Sequence, residues 1–331
     1  MKLTKLIRLS EWWQYKMAPL AAMGYATALY CGADVLALLP GLLMVVVSAM
    51  FGAAYVSVLN DFTDIEEDLA AGKYNRQSKL TPAQRRLLLA ASVIPGFLFL
   101  FFFYGDSLPT LFYFLSGVSF TAYSMPPMRL KNKGVWGVVA DASGAHLFPT
   151  LTIAAAIFHF AGKNADAVWM ISAAVWAFAY GLRGIMWHQF SDRMNDTESG
   201  TSTYAVKREI YNFWIIAKGI LAVEVLALCV LLAYLNMPLL WLVFGLYIIG
   251  VAIARTFFNI KVIAILPVPG RNYIFLNTFY QLFWPVAVLL VVALQQPGTW
   301  WLLLLHLVLF PQNILSCFQL SRRFFGRLSA Q

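Results

Sequence analysis

The chain has 331 residues, of which 61% are hydrophobic and 12% charged, and its formal net charge is +9. Its mean hydropathy is +0.71. These values exclude an ordinary soluble domain and point to a polytopic membrane protein.

In chain order, the segment 1–16 carries Lys2, Lys5, Arg8, Trp12, Trp13, Tyr15 and Lys16. That is the pattern of an interfacial amphipathic helix, a membrane anchor. No small-residue cleavage site follows a short apolar core, so no removable signal peptide is expected. Ten apolar runs come next, each near the ~20 residues that cross a bilayer. They are Met17–Ala33, Val35–Leu59, Leu87–Tyr104, Leu108–Met125, Val135–Ala161, Ala167–Trp187, Phe213–Leu235, Pro238–Phe258, Tyr273–Leu294 and Trp300–Phe318. The expected fold is all-α: a polytopic bundle of about nine or ten transmembrane helices. Cys31, Cys229 and Cys317 lie far apart within these runs and read as packing residues. His146, His159 and His306 are scattered, form no ligand set and read as structural. No linker interrupts the chain, so 1–331 reads as one domain.

Alternate connections collect nearly all the basic residues. One side holds Lys2, Lys5, Arg8 and Lys16, then Lys73, Arg76, Lys79, Arg85 and Arg86, then Arg129, Lys131 and Lys133. It continues with Arg193, Lys207 and Arg208, with Arg255, Lys261 and Arg271, and with Arg322, Arg323 and Arg327. The other side has Lys163 alone. The excess of positive charge is therefore topology, not a nucleic-acid surface. By the positive-inside rule the basic side is cytoplasmic, with both termini.

Eight of the fifteen acidic residues lie in two short windows on that side, 60–68 and 192–198. Asn60, Asp64 and Asp68 step by four, Asp61 stands three before Asp64, and Asp192 and Asp196 repeat the step of four. Such spacing lines oxygen ligands along one helical face. Clustered carboxylates in so apolar a chain require a cation. Hard oxygen donors suit Mg²⁺, which takes one or two carboxylates and completes its shell with water and phosphate oxygens. Each window follows an apolar run and precedes a basic stretch, a weak internal echo four helices apart that hints at two related halves. Glu66 and Glu67 fall between the ligand positions and read as a solvated face.

Asn60-Asp61-x-x-Asp64-x-x-x-Asp68 resembles the first aspartate-rich motif of the UbiA superfamily of intramembrane prenyltransferases, and Asp192-x-x-x-Asp196 resembles the second. Between them, Tyr123-Ser124-Met125-Pro126-Pro127-Met128-Arg129-Leu130-Lys131 is similar to that superfamily's tyrosine–proline–basic loop, especially in its chlorophyll-synthase and homogentisate-prenyltransferase branches. The resemblance implies a helical bundle around a central cavity. Asn60, Asp61, Asp64, Asp68, Asp192 and Asp196 would hold Mg²⁺ against the diphosphate of a polyprenyl donor, while Lys73, Arg76, Arg129 and Lys131 would bind the diphosphate itself. Asp61, Asp64, Asp192 and Tyr123 are the expected catalytic residues, and the acceptor would be lipophilic. The chain departs from the pattern in two places. Arg76 is followed by Gln77 rather than proline, and the loop 197–203 contains no lysine.

Polar residues inside the runs are functional candidates by default. Arg183 and His188 approach the second window and are expected near the substrate, with His188 four residues before Asp192. Asp141 is a candidate partner for a basic residue or the acceptor, and Glu224 and Lys218 are expected to pair within the protein. Two other functions fit the windows: phosphoribosyl transfer to a polyprenyl phosphate, and a transporter with an acidic vestibule. The second would place its carboxylates near the midplane on broken helices rather than at helix ends.

Overall fold

The computed structural model describes residues 3–318 apart from 71, 103, 104, 106, 199, 259, 313 and 316. Lys2, Arg322, Arg323, Arg327 and the Tyr104 end of the third run lie outside the described residues. Ten apolar helices follow the ten expected runs: α1 Ala18–Tyr30, α2 Val35–Thr63, α3 Pro82–Phe102, α4 Ser107–Ser124 and α5 Val135–Phe160, then α6 Ala167–Ser191, α7 Ile210–Leu235, α8 Pro238–Phe258, α9 Phe279–Gln295 and α10 Trp300–Leu309. Six of them, α2, α3 and α5 to α8, are long and apolar enough to cross a membrane on their own. α1, α9 and α10 are shorter than their runs: α1 starts after the π-helical turn Trp13–Met17 and stops at Tyr30, the ninth run opens in the strand Asn272–Ile274 and turns helical only at Phe279, and the final run breaks after Leu309.

Aspartates set both ends of the two helices that lead into the acidic windows. At one end Asp34 caps α2 and Asp166 caps α6, each side chain accepting a backbone N–H, from Leu36 at 2.9 Å and Trp169 at 2.8 Å. Such caps satisfy amides that a helix start leaves open. At the other end Asp64 and Asp192 are themselves the C-caps. Both helices run four residues past the expected exits at Leu59 and Trp187, so the first window begins inside α2 and the second at the C-cap of α6.

The main core gathers α1, α2 and α5 to α9 around fully buried Trp169, Trp176 and Trp284. Close backbone approach is possible because the facing residues are small. A Cβ added at Gly181 of α6 would lie 3.0 Å from the Ala142 Cα and carbonyl oxygen of α5. A second cluster on the window side packs Tyr204 and Ala205 against Val138, Ile185, Phe190 and Phe213, which fixes the loop after Glu198. The only strands among the described residues, Lys261–Ile263 and Asn272–Ile274, form a small parallel pair in the connection after α8. α3 and α8 are mostly exposed, as lipid-facing helices are.

Glu224 pairs with Arg183 rather than with Lys218, which is exposed. The Arg183 Nη2–Glu224 Oε1 bond is 2.7 Å, Nε donates to the other oxygen, and both side chains are buried. Nη1 donates to the Ala264 carbonyl at 3.1 Å. Removing one partner strands a buried charge, at a cost of about 3–5 kcal/mol, whereas replacing both by apolar groups costs far less. Arg183→Met or Glu224→Met is therefore expected to lower the unfolding midpoint in detergent sharply. The double variant is expected to recover most of the loss, in a thermal-melt double-mutant cycle.

Candidate functional site

The first window holds its step of four through the end of α2. The Asp64 amide donates to the Asn60 carbonyl and the Asp68 amide to Asp64, so helical spacing persists across the break that opens the short helix Ile65–Ala70. The side chains at the four ligand positions here all have partners. Asp61 is buried and accepts from Arg8 of the N-terminal segment, with Arg76 3.9 Å away. Asp64 accepts from Lys131 and from Arg129, the latter at 3.2 Å, while Arg129 also reaches Glu67 at 2.7 Å. The Ser124 hydroxyl donates to Asn60 Oδ1. The buried Asn75 amide binds the Asp61 carbonyl and Asp68 Oδ2, at 2.8 and 2.9 Å.

The second window repeats this geometry. The Asp192 amide donates to His188 and the Asp196 amide to Asp192, as in the first window. The short helix Arg193–Glu198 then ends at Gly200 in the left-handed region (φ 69°), as Ile65–Ala70 is followed by Gly72 (φ 67°). The Lys73 amide returns to the Asp68 carbonyl, and the Thr201 amide returns to the Asp196 carbonyl. The Thr203 hydroxyl binds Asp196 Oδ2 at 3.2 Å, where the first window uses Asn75. The internal echo is thus a repeat of backbone and ligand positions, with Thr201 standing where the first copy has Lys73. Burial pushes the Asp196 carboxyl up, opposed by the Thr203 hydroxyl and by Lys73, whose field reaches it from the other window. An isolated bridge joins Gly134, just after the central basic loop, to Thr203, tying that loop to the second window.

A cavity of about 270 Å³ reaches Asn60 of the first window and His188, which precedes the second window by one helical turn. Asn60 and His188 stand at its mouth, and the walls come from the N-terminal segment, α1, α2, α4, α5 and α6. His188 Nδ1 lies 3.4 Å from Asp192 Oδ2. Arg76 and Lys131 sit with the first window, and Lys73 lies exposed between the two. Tyr123 is half-buried within reach of the charges of Asp64, Asp141 and Asp196, but it is not among the side chains lining the cavity. Arg183 is removed from the expected substrate set: its guanidinium is spent on Glu224 and Ala264.

The sequence reading missed part of the site. The segment 3–17 is more than an anchor, because Arg8, Glu11, Trp12 and Lys16 line the cavity. Deeper in, Lys16 faces Asp141 and His146, and Tyr180 stacks edge-on to His146 at 4.8 Å. None of Lys16, Asp141 and His146 makes a hydrogen bond or ion pair within the described residues. His146, read as structural, is a cavity residue. Lys16 and His146 both sit in π-helical turns, Trp13–Met17 and Ser143–Leu147, a deviation that recurs at functional sites.

The sequence matches the UbiA prenyltransferase family over residues 17–264. The chain belongs to that family. No curated protein matches it. Among solved structures it is similar to a UbiA homolog from Archaeoglobus fulgidus bound to GPP and Mg²⁺, with a TM-score of 0.55 at 16% identity, covering 88% of this chain and 97% of that one. The same homolog bound to DMAPP and Mg²⁺ gives a TM-score of 0.56 at 15% identity, covering 88% and 99%. A third structure, bound to Cd²⁺, gives 0.54 at 16% identity, covering 88% and 98%. The shared feature is the fold, an all-helical bundle.

Whether this UbiA chain suits Mg²⁺ can be judged from its donors. Among the described residues no group of three or more His, Cys, Asp or Glu side chains is gathered as a cage. Mg²⁺ does not need one, since it keeps waters and phosphate oxygens beside one or two carboxylates. All the window donors are oxygens, and Asp61 Oδ2 is buried with no hydrogen-bond partner, an open acceptor in the right place. The donor set fits. In the metal-free protein Arg8 supplies the compensating charge for Asp61. Arg8→Gln is expected to cost about 1–3 kcal/mol in EDTA by leaving that carboxylate unpaired. The loss shrinks when Mg²⁺ is added, as thermal unfolding with and without the ion will register.

Proposed function

We propose that the protein transfers a prenyl group from an isoprenyl diphosphate to a lipophilic acceptor, at a site on the cytoplasmic face of the membrane. The observation that carries this reading is the pair of matched carboxylate windows, whose neighbours Asn60 and His188 both line one largely apolar-walled cavity. The ligands of the similar structures, GPP, DMAPP and Mg²⁺, support the donor class. The distribution of basic residues supports the orientation, with both termini cytoplasmic and 1–331 acting as one domain.

In this reading Asn60, Asp61, Asp64 and Asp68 hold Mg²⁺ on one side and Asp192 and Asp196 on the other. The ion supplies positive charge beside the leaving diphosphate. Lys73, Arg76, Arg129 and Lys131 hold the diphosphate oxygens and stabilise the negative charge that grows as the allylic carbon–oxygen bond breaks. Donors fixed in advance for that charge cost no reorganisation at the moment of reaction. The cavity wall keeps water from the allylic carbon, and aromatic faces such as Phe120, Trp176 and Tyr180 favour its developing positive charge. Tyr123 acts from behind this wall, between the two windows. His188 orients Asp192.

The acceptor's polar end belongs at Lys16, Asp141 and His146, the unpaired ionisable groups deeper in the cavity. Asp141 or His146 takes the proton that the acceptor loses on prenylation, and Lys16 holds the acceptor's electron-rich end.

Asp64→Ala and Asp192→Ala are expected to lower the rate of Mg²⁺-dependent diphosphate release from geranyl or geranylgeranyl diphosphate by about 10²–10³-fold, the usual loss of a transition-state electrostatic group. Retained turnover in folded, purified single variants rules the site out. Asp141→Asn is expected to leave donor binding intact while prenylated product disappears. Mass spectrometry of products formed by membranes offered a mixed acceptor pool reads that difference.

A further inference from the structure

The N-terminal segment spends two of its charges on the candidate site. Arg8 donates to Asp61 through one guanidinium nitrogen and lies 3.5 Å from Glu11 through another. Glu11 pairs in turn with Arg76, which also stands 3.9 Å from Asp61. Asp61, Arg8, Glu11 and Arg76 thus close a ring of alternating charge, two members from the site and two from the segment. Little else holds the segment between Leu3 and Glu11, where no side chain is buried. Its short helices Leu3–Leu6 and Leu9–Trp12 meet at Arg8, which takes the left-handed conformation (φ 52°, ψ 36°) that a residue with a Cβ adopts at a cost. The firm attachment begins after the ring. Trp12 is buried, and the Trp13 indole donates to the Leu309 carbonyl at 2.8 Å while its ring stacks on Phe310. One indole bond, from Trp12 to the Ile7 carbonyl at 2.7 Å, ties the loose part to the anchored part.

We propose that Arg8 and Glu11 form an internal pseudo-ligand. Arg8 fills the place of the cation at Asp61, Glu11 fills the place of the diphosphate at Arg76, and arrival of the true ligands releases residues 3–11 from the cavity. The inference rests on the prenyl-transfer reading and adds a regulator built into the chain. The mimicry is of charge and hydrogen bonding. A guanidinium is a monovalent counterpart of a metal ion beside a carboxylate, and a carboxylate beside an arginine is a weaker counterpart of a phosphate. The Glu11 amide donates to the Arg8 carbonyl at 2.8 Å, so the two residues move as a unit. Mg²⁺ brings twice the charge of Arg8 to Asp61, and a diphosphate brings more charge to Arg76 than Glu11 does. With both pairs replaced, no ion pair retains the segment. Leu3, Lys5, Ile7 and Leu9 then suit it to the membrane surface, as an amphipathic interfacial piece. When diphosphate departs the segment returns, and the empty ring is again covered and neutral.

Hydrogen exchange of the full-length chain in detergent, read by mass spectrometry, tests this. The amides of residues 3–11 are expected to exchange several-fold faster when Mg²⁺ and geranyl diphosphate are added together, while those of α1 hold their rate. Mg²⁺ with inorganic pyrophosphate is expected to act alike, because the segment answers to charge and not to the prenyl chain. Slower or unchanged exchange in 3–11 with donor bound overturns the proposal. So does release by geranyl diphosphate but not by pyrophosphate. Glu11→Gln is expected to tighten Mg²⁺-dependent binding of geranyl diphosphate about two- to fivefold, the scale of one competing exposed ion pair. Lys5→Gln removes a charge from the same segment but none from the ring, and is expected to leave that affinity unchanged. Unchanged or weaker binding in Glu11→Gln refutes the mimicry. A wild-type chain that binds neither pyrophosphate nor geranyl diphosphate overturns the prenyl-transfer reading as well. Binding of both with residues 3–11 unmoved overturns the pseudo-ligand alone.

Discussion

Carboxylates stand at the wrong ends of two helices. A helix C-terminus carries partial negative charge, so a cation is favoured there and an anion is not. Yet Asp64 and Asp192 cap the C-termini of α2 and α6, with Asp61 buried one turn earlier. The whole window side of the bundle is arranged around relieving that conflict. Arg8 reaches Asp61 from the N-terminal segment, Lys131 and Arg129 reach Asp64 from the central loop, and His188 stands by Asp192. The segment, the central loop and the loop after Glu198 are drawn together by this shared demand for positive charge. A divalent ion would meet the same demand more fully and leave the basic side chains free for an anion, which makes the conflict useful.

Below this charged layer the bundle behaves as membrane protein physics requires. Small residues let α5 and α6 approach closely, and lipid-facing α3 and α8 contribute little to the core. The buried ion pair Arg183–Glu224 is held by bidentate geometry. The Lys16, Asp141 and His146 groups contrast with it, because they line the cavity with no hydrogen bond or ion pair among the described residues. Charge that a fold has paired is architecture, and charge left facing a cavity is available to a ligand.

Much of this was legible in the residues. Ten apolar runs became ten helices, and the step of four in each window became real helical spacing. The charges inside the runs were less legible. Arg183 stands near the second window in sequence, but it turns toward α7, and nothing in the α6 pattern names Glu224 as its partner. Asp141 and His146 are five apart, which on a regular α-helix of 3.6 residues per turn puts them on different faces. The π-helical turn Ser143–Leu147 adds a residue to the turn and lets both reach the cavity. Periodicity cannot anticipate a change of period. Nor could it show that the N-terminal segment folds over the mouth, since that depends on Arg8 meeting an aspartate far away in the chain.

The two windows share one backbone design but not one set of side chains. Where the first copy has Asn60 and Lys73, the second has His188 and Thr201, and both arginines near Asp61 serve the first copy alone. The mouth therefore has an electrical polarity, richer in fixed cations on the α2 side. A diphosphate is nearly symmetric end to end, and a symmetric cradle would leave its orientation to chance. An unequal one would give a bound diphosphate a preferred direction.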